Sequence, residues 1–349
     1  MNSYIAKAPC RIDLSGGTLD LWPLYLSQSD EFHVVNNMAI NVYAYAELRT
    51  QRAQSFSLQI YSKDLKKKKT YKSLSQIKKA LMKSSKEEPL RWLLRVFFHF
   101  WHKAGCPQKS FSLTSWSEIP PGSGLGGSSV MAVSVAKACL AVFDLRYTRW
   151  KLHSTLCNLE TVEIEHPGGE QDSIPALFGG LLSFSQGIEE KKVFKHADLL
   201  AKNISKRILL AYTGKPHHSG INNWDVYKAF VEKDKRVQAA LRKIAEVSKK
   251  MCISFEKNDT KTLAKLLKKE YESRKLLSPR IHIAEYDQIF KAAQNFQCQA
   301  MKACGAGGGG SLLLYFNNEK NKNLFYEAFS SQHHLIKIQV APSARVKKL

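Results

Sequence analysis

Apolar residues recur with two distinct periods along the 349-residue chain, and each change of period marks a new element. Residues 4–14, 34–48 and 56–61 alternate or cluster β-favouring side chains and read as strands. Over residues 89–102, Leu90, Leu93, Leu94, Phe97, Phe98 and Trp101 fall three and four apart, the amphipathic helix period. Residues 111–114 return to strand alternation. Residues 130–143 form a predicted helix, with Val130, Val133 and Leu140 facing inwards and Ser134 and Lys137 outwards. Two short apolar runs, 181–184 and 208–212, read as strands. Residues 223–277, rich in Lys, Glu, Ala and Leu and free of Pro and Gly, predict two or three helices ending before Pro279. A last helix, 284–301, leads through a glycine run to a strand at 312–316. Because helices and strands mix without a strict βαβ rhythm, the predicted fold class is α+β, with two domains, 1–190 and 191–349.

Composition narrows the function classes. With 44% apolar residues the chain can bury a full core. No run of about 18 apolar residues occurs, and the first eight residues lack the layout of a secretory signal, so a cytoplasmic protein without a membrane partner is expected. The seven cysteines are scattered without a C-x-x-C pair, which argues against a zinc ribbon or a disulfide framework and for free thiols. A formal charge of +23 pulls towards polyanion binding. Much of the excess sits in residues 63–86 and 233–275, interleaved with helix-type apolar spacing, and reads as a solvated basic face. Nucleic acid is therefore not the expected partner, although attraction of anionic substrates such as ATP, or a polyanion surface, stays open. The chain is expected to be a monomer or homodimer.

The strongest local signal is Pro120-Pro121-Gly122-Ser123-Gly124-Leu125-Gly126-Gly127-Ser128-Ser129, running into the helix at 130–143. Glycines let backbone approach a ligand, and a helix N-terminus aims unpaired N–H groups and a positive dipole end at one place. A phosphate suits that place. The spacing Gly122-x₄-Gly127 imitates a Walker loop, yet Ser128-Ser129 stands where Lys then Ser or Thr is required. The Gly122-x-Gly124-x-x-Gly127 match to the dinucleotide fingerprint fails because Pro120-Pro121 interrupts the strand that should enter the first glycine.

Two further segments flank this loop in order: Ala8-Pro9-Cys10-Arg11-Ile12-Asp13-Leu14-Ser15-Gly16-Gly17-Thr18-Leu19-Asp20 and Lys302-Ala303-Cys304-Gly305-Ala306-Gly307-Gly308-Gly309-Gly310-Ser311. The three together resemble the GHMP-kinase family over nearly the whole chain, and the sugar-kinase branch (galactokinase, fucokinase, heptose 7-phosphate kinase) above all. The resemblance implies an N-terminal lobe like ribosomal protein S5 domain 2, a ferredoxin-like C-terminal lobe and an active site between them. It implies ATP and Mg²⁺, with the γ-phosphate passing to a hydroxyl, expected to be anomeric, of a sugar or sugar phosphate. A non-sugar alcohol such as mevalonate is the alternative acceptor.

Residue by residue, the resemblance assigns phosphate binding to Pro121, Gly122, Ser123, Gly124, Leu125, Gly126, Gly127, Ser128 and Ser129. Gly127 departs from the family's usual Ser. Asp172, in Gly168-Gly169-Glu170-Gln171-Asp172, matches the family's catalytic aspartate, and Arg11 would hold that acid ionised beside the acceptor. Ser128 and Glu165, with Glu163 as fallback, match the Mg²⁺ ligands. Gly17, Thr18 and Asp20 resemble the G-G-x-T-D sugar motif, and Gly169, His218, Ser219, Asn222, Gly307 and Gly308 complete the expected substrate contacts. From the residues alone, Asp172 also reads as a helix cap and Asp20 as a turn residue. His217 and His218, adjacent and without a third ligand nearby, argue against a metal site.

Overall fold

A long antiparallel pair carries the first half of the chain. In the computed structural model, which describes residues 2–22, 24–27, 33–120, 122–165, 168–187, 190–215 and 219–349, the order is β1 (Asn2–Ser15), α1 (Leu24–Ser27), β2 (His33–Arg52), β3 (Ser57–Ser62), β4 (Lys67–Tyr71), α2 (Leu74–Leu81), α3 (Arg91–Lys103), β5 (Lys109–Ser117), α4 (Gly127–Val142), α5 (Arg149–Ile164), α6 (Ser173–Phe178), β6 (Leu181–Gln186) and β7 (Lys191–Lys195). There follow α7 (Asp198–Ser205), β8 (Ile208–Tyr212), α8 (Ser219–Val231), α9 (Lys235–Glu256), α10 (Leu263–Lys275), α11 (Ala284–Gln294), β9 (Cys298–Ala303), β10 (Ser311–Phe316), α12 (Glu319–Phe329), β11 (His334–Lys337) and β12 (Arg345–Lys348).

The first sheet runs β12-β1-β2-β5-β3-β4, with β6 and then β7 attached to the start of β2. One strand reaches two neighbours on the same side because β2 is 20 residues long: its first residues pair with β6 and its last with β5. Helix α4 lies across β1 and β2 and is covered by α3, α5 and α6. Beyond its first turn a helix enclosed in this way has little outer face. Ser134, expected to point outwards, is accordingly buried and donates to the Ala44 carbonyl at 2.9 Å. Lys67–Lys69 lie on β4 at the open edge of the sheet, where charged side chains block further strand pairing. Part of the basic excess therefore serves the fold.

The second sheet is antiparallel throughout, in the order β11-β8-β10-β9. Numbered within the lobe this is 4-1-3-2 with helical crossovers, the ferredoxin-like arrangement. Three helices, α8, α9 and α10, fill the stretch predicted to hold two or three. The helix expected over 284–301 stops at Gln294, and Cys298–Ala303 is a strand. Ala, Gln, Met and Lys favour helix locally, but Gln297 turns the chain at φ +61° and the following residues pair with β10. Tertiary pairing overrides a weak local preference.

Neither lobe keeps strictly to one side of residue 190. Strand β7 stays in the first sheet up to Lys195, and β12 returns to pair with β1. Alternate residues of the second sheet also divide between two cores. Ile208, Leu210, Leu313 and Tyr315 join a large core that runs from the first lobe through α7, α9 and α10, whereas Leu209, Ala211, Leu312, Leu314 and Phe316 belong to the core with α11 and α12. All seven cysteines are free thiols. Among the described residues no helix is long and apolar enough to cross a membrane.

Helix α3 is fixed to the first sheet by Phe97, which is fully buried with ring centroids 5.4 Å from Phe111 and 5.9 Å from Phe143. Phe97→Ala is expected to lower the unfolding free energy by about 3–5 kcal/mol. Urea denaturation checks this, and a loss under about 1 kcal/mol would contradict the packing.

Candidate active site

Arg11 on β1, the turn after that strand, the loop before α4, the turn before α6 and Arg274 of α10 line a cavity of about 530 Å³. Arg11, buried on β1, joins three of these pieces. Its Nε and Nη2 donate to Asp172 Oδ1 at 2.9 and 2.6 Å, and its Nη1 donates to the Gly124 carbonyl at 2.6 Å. Burial by itself would favour the neutral guanidine, but Asp172 and Asp13 outweigh it and hold Arg11 charged. Asp172 stands at the position before α6, yet its side chain makes no capping bond. Both guanidinium bonds fall on Oδ1, which leaves Oδ2 without a hydrogen-bond partner among the described residues. Asp172 itself lines the cavity.

The glycine loop is shaped for backbone donors. Gly122, Gly124 and Gly126 have φ of +73°, +78° and +75°, a conformation that costs other residues dearly, and the alternation turns successive N–H groups inwards. Gly126 is also the residue before α4, so the unpaired amides at the helix start open at the same spot. A Cβ at Gly126 would sit 3.4 Å from the Asp172 side chain, which places the acid directly against the loop. The third motif docks here as well. Ser311 N–H donates to the Ser123 carbonyl at 2.8 Å, and Gly310 has room for no Cβ because Ser123 O would be 2.8 Å away. Pro121 lies outside the described residues.

The acid beside the serines is Glu160, not Glu165. Glu165 sits exposed at the end of α5 with φ +60° and does not line the cavity, and Glu163 is held by Arg91 and Arg95 at 2.9 and 2.7 Å. Glu160, in contrast, accepts the Ser129 hydroxyl at 2.7 Å, and both lie in the cavity wall with the exposed Ser128. The sequence contains the signal. Leu152 and Leu156 form the buried row of α5, and Glu160 is the next position four residues on, a carboxylate at the end of an apolar stripe. This all-oxygen set at a phosphate-shaped helix start suits Mg²⁺, which takes one or two carboxylates together with substrate phosphates.

The opposite end of the cavity is polar. Asp20, buried, accepts from Thr18 N–H at 3.0 Å and from Gln171 N–H at 2.9 Å, which locks the 17–21 turn to the 168–172 turn. Burial pushes its carboxyl up to about 6, although the Gln171 N–H opposes this. Thr18, Asp20, Gly169 and Asn223 line the cavity, whereas Gly17 offers its carbonyl to Arg274 at 2.9 Å. Gly307 and Gly308 are not in the cavity wall. They pack on Ile281, with Gly308 N–H donating to its carbonyl, and Gly305 and Ala306 line the cavity instead. His218 lies outside the described residues. Ser219 and Asn222 open α8, next to Asn223.

One residue not singled out in the sequence supports Asp172 from behind. His153, fully buried, contacts Ser173 Oγ at 2.8 Å through Nδ1 and Glu170 Oε2 at 3.2 Å through Nε2, so it grips the chain on both sides of Gln171-Asp172. At the far end of the cavity, Leu65, Pro89, Trp92 and Ile119 form an apolar slot beyond the serines, and Trp92 Nε1 donates to the Ser128 carbonyl at 3.1 Å.

Burial pushes Glu160 up to about 7, against the Ser129 bond that favours its ionised form. The folded protein thus holds this proton more tightly than the unfolded chain. The resulting stability is complete below about 4.5 and is lost as pH rises through about 7. Metal-free protein is expected to weaken over that window, and Glu160→Gln to weaken less. Urea midpoints between about pH 5 and about pH 8 check this, and equal slopes for the two proteins would remove the assignment.

Comparison with known proteins agrees with this geometry. A family model described as GHMP kinases N terminal domain matches residues 91–180, and one described as GHMP kinases C terminal matches residues 251–335. The D-glycero-alpha-D-manno-heptose 7-phosphate kinase of Campylobacter jejuni is 28% identical over 62% of this chain and 64% of its own length. The bifunctional fucokinase/GDP-fucose pyrophosphorylase of Arabidopsis thaliana is 24% identical over 56% of this chain and 19% of its own length. The chain thus spans less than two thirds of these relatives. Among solved structures, a D-glycero-D-manno-heptose 1-phosphate kinase from Bacteriodes thetaiotaomicron superposes with a TM-score of 0.76 at 21% identity, covering 99% of both chains. The two domain matches, the three motifs gathered around one cavity and the shared fold establish that the chain belongs to the GHMP kinase family.

Proposed function

We propose that the chain is an ATP-dependent sugar kinase that transfers the γ-phosphate to a sugar hydroxyl. The observation that carries the reading is the position of Asp172, against the phosphate-shaped loop on one side and in the same cavity as Thr18 and Asp20 on the other. The apolar slot at Trp92 and Leu65 suits a nucleobase, and the amides of residues 122–129 suit its phosphates. Ser128, Ser129 and Glu160 would hold Mg²⁺, which neutralises charge developing on the transferred phosphoryl group.

Asp172 then orients the acceptor hydroxyl through Oδ2 and takes its proton as the new oxygen–phosphorus bond forms and the bond to the leaving ADP breaks. Arg11 balances the charge of that acid and holds it through two bonds to Oδ1. Its second role is mechanical, since its bond to the Gly124 carbonyl ties the base to the loop that positions the phosphates. Asp20 and Thr18 give the acceptor end hydrogen-bonding groups, which favours a polyol over a less hydroxylated alcohol such as mevalonate. The relatives named above are kinases of heptose phosphate and fucose, and this chain is assigned a sugar or sugar phosphate by that likeness. Attack by the anomeric hydroxyl, giving a sugar 1-phosphate, is the reading we adopt.

ADP release from ATP and Mg²⁺ with a panel of monosaccharides, their phosphates and mevalonate tests the proposal. Turnover is expected with a sugar and not with mevalonate, and ³¹P spectra are expected to show a 1-phosphate. Mevalonate as the one working acceptor would overturn the assignment. Asp172→Asn is expected to cut turnover at least about 100-fold while ATP still binds. Near-normal turnover in that variant would remove Asp172 from its role.

A further inference from the structure

Four charged residues lie together at the junction of the lobes, and all four are essentially inaccessible to solvent: Asp13 on β1, Glu270 and Arg274 on α10, and Lys302 on β9. Lys302 Nζ is 2.9 Å from Asp13 Oδ2 and 3.6 Å from Glu270 Oε2. Arg274 donates through Nε and Nη2 to Glu270 Oε1 at 3.0 and 2.6 Å, and Nη2 lies 3.3 Å from Asp13 Oδ2. Burial opposes ionisation of Asp13, yet Lys302 and Arg274 hold it below the ordinary carboxylate range. Two acids and two bases cancel, but a balanced buried set is no stronger than an apolar one of the same volume. Its value has to be sought in what it positions.

Arg274 has a second set of contacts, towards the acceptor end of the cavity. Its Nη2 donates to the Gly17 carbonyl at 2.9 Å and its Nη1 to Thr18 Oγ1 at 3.3 Å, and the residue itself lines the cavity. The turn it grips is strained. Thr18 has φ +79°, a conformation that β-branched residues rarely adopt and that persists only where surrounding bonds impose it. Asp20 holds the Thr18 amide and Arg274 holds its hydroxyl, so the strained residue is clamped from both lobes.

We propose that Arg274 is a positioning residue for the acceptor: anchored by Glu270 and Asp13 in the second lobe and at the junction, its planar guanidinium fixes the Gly17–Thr18 turn that receives the sugar. A lysine keeps the charge balance but presents its donors from one point. It cannot serve Glu270, the Gly17 carbonyl and the Thr18 hydroxyl together. The inference rests on the sugar-kinase reading for its kinetic consequence, and on geometry alone for its structural one.

Arg274→Lys separates the two. With the sugar that turns over best in wild-type protein, the variant is expected to raise the KM for sugar about tenfold and to leave the KM for ATP within about twofold, the effect of losing charged hydrogen bonds at one end of the cavity only. Hydrogen exchange of amides 17–21 is expected to quicken, while amides 125–135 keep their protection. An equal rise in both KM values, or unchanged exchange at 17–21, would overturn the proposal. If no sugar is turned over by wild-type protein, the kinase reading fails by itself and the exchange measurement still decides the role of Arg274.

Discussion

The contact on which the site depends is the fork of Arg11. One guanidinium binds a carboxylate from the turn before α6 and a carbonyl from the glycine loop, and it stands on the central strand pair of the first sheet. Segments separated by more than a hundred residues therefore acquire fixed relative positions from a single planar group. The cost of burying that charge is offset locally by its two bonds to Asp172. A point-like ammonium in its place would balance the charge without fixing the geometry.

The carboxyl groups around the cavity differ through their surroundings rather than their chemistry. Asp172 touches solvent and is held by an arginine, whereas Asp20 and Glu160 are pushed upwards by burial and kept in place by neutral donors. Groups set apart in this way are chemically distinct within one cavity, although all are carboxyls. Behind them a set of four buried charges, two of each sign, joins the lobes.

Much of this was legible in the sequence, for definite reasons. The helix period at 89–102, the strand alternation and the three glycine-bearing motifs are local patterns, and local patterns survive folding when tertiary packing agrees with them. Arg11, Asp172 and the loop, read from their positions in the motifs, meet in one cavity. Glu165 was misplaced because proximity in sequence to Asp172 says nothing about which face of α5 it occupies, and the row through Leu152 and Leu156 points to Glu160 instead. The strand at 298–303 was hidden by helix-favouring residues whose pairing partner lies further along the chain. Glu270 and Arg274 were invisible in a stretch of exposed Lys and Glu, since charge on an amphipathic helix looks alike whether it meets water or another lobe.

The division of the second sheet between two cores bears on how substrates enter. Strands β8 and β10 send alternate side chains into the large core that runs on from the first lobe, so the lobes share close-packed interior rather than a loose interface. A hinge that swung one lobe from the other would have to open that interior to water. The 17–21 turn and the start of α8 border the polar end of the cavity, on the rim rather than in that shared interior.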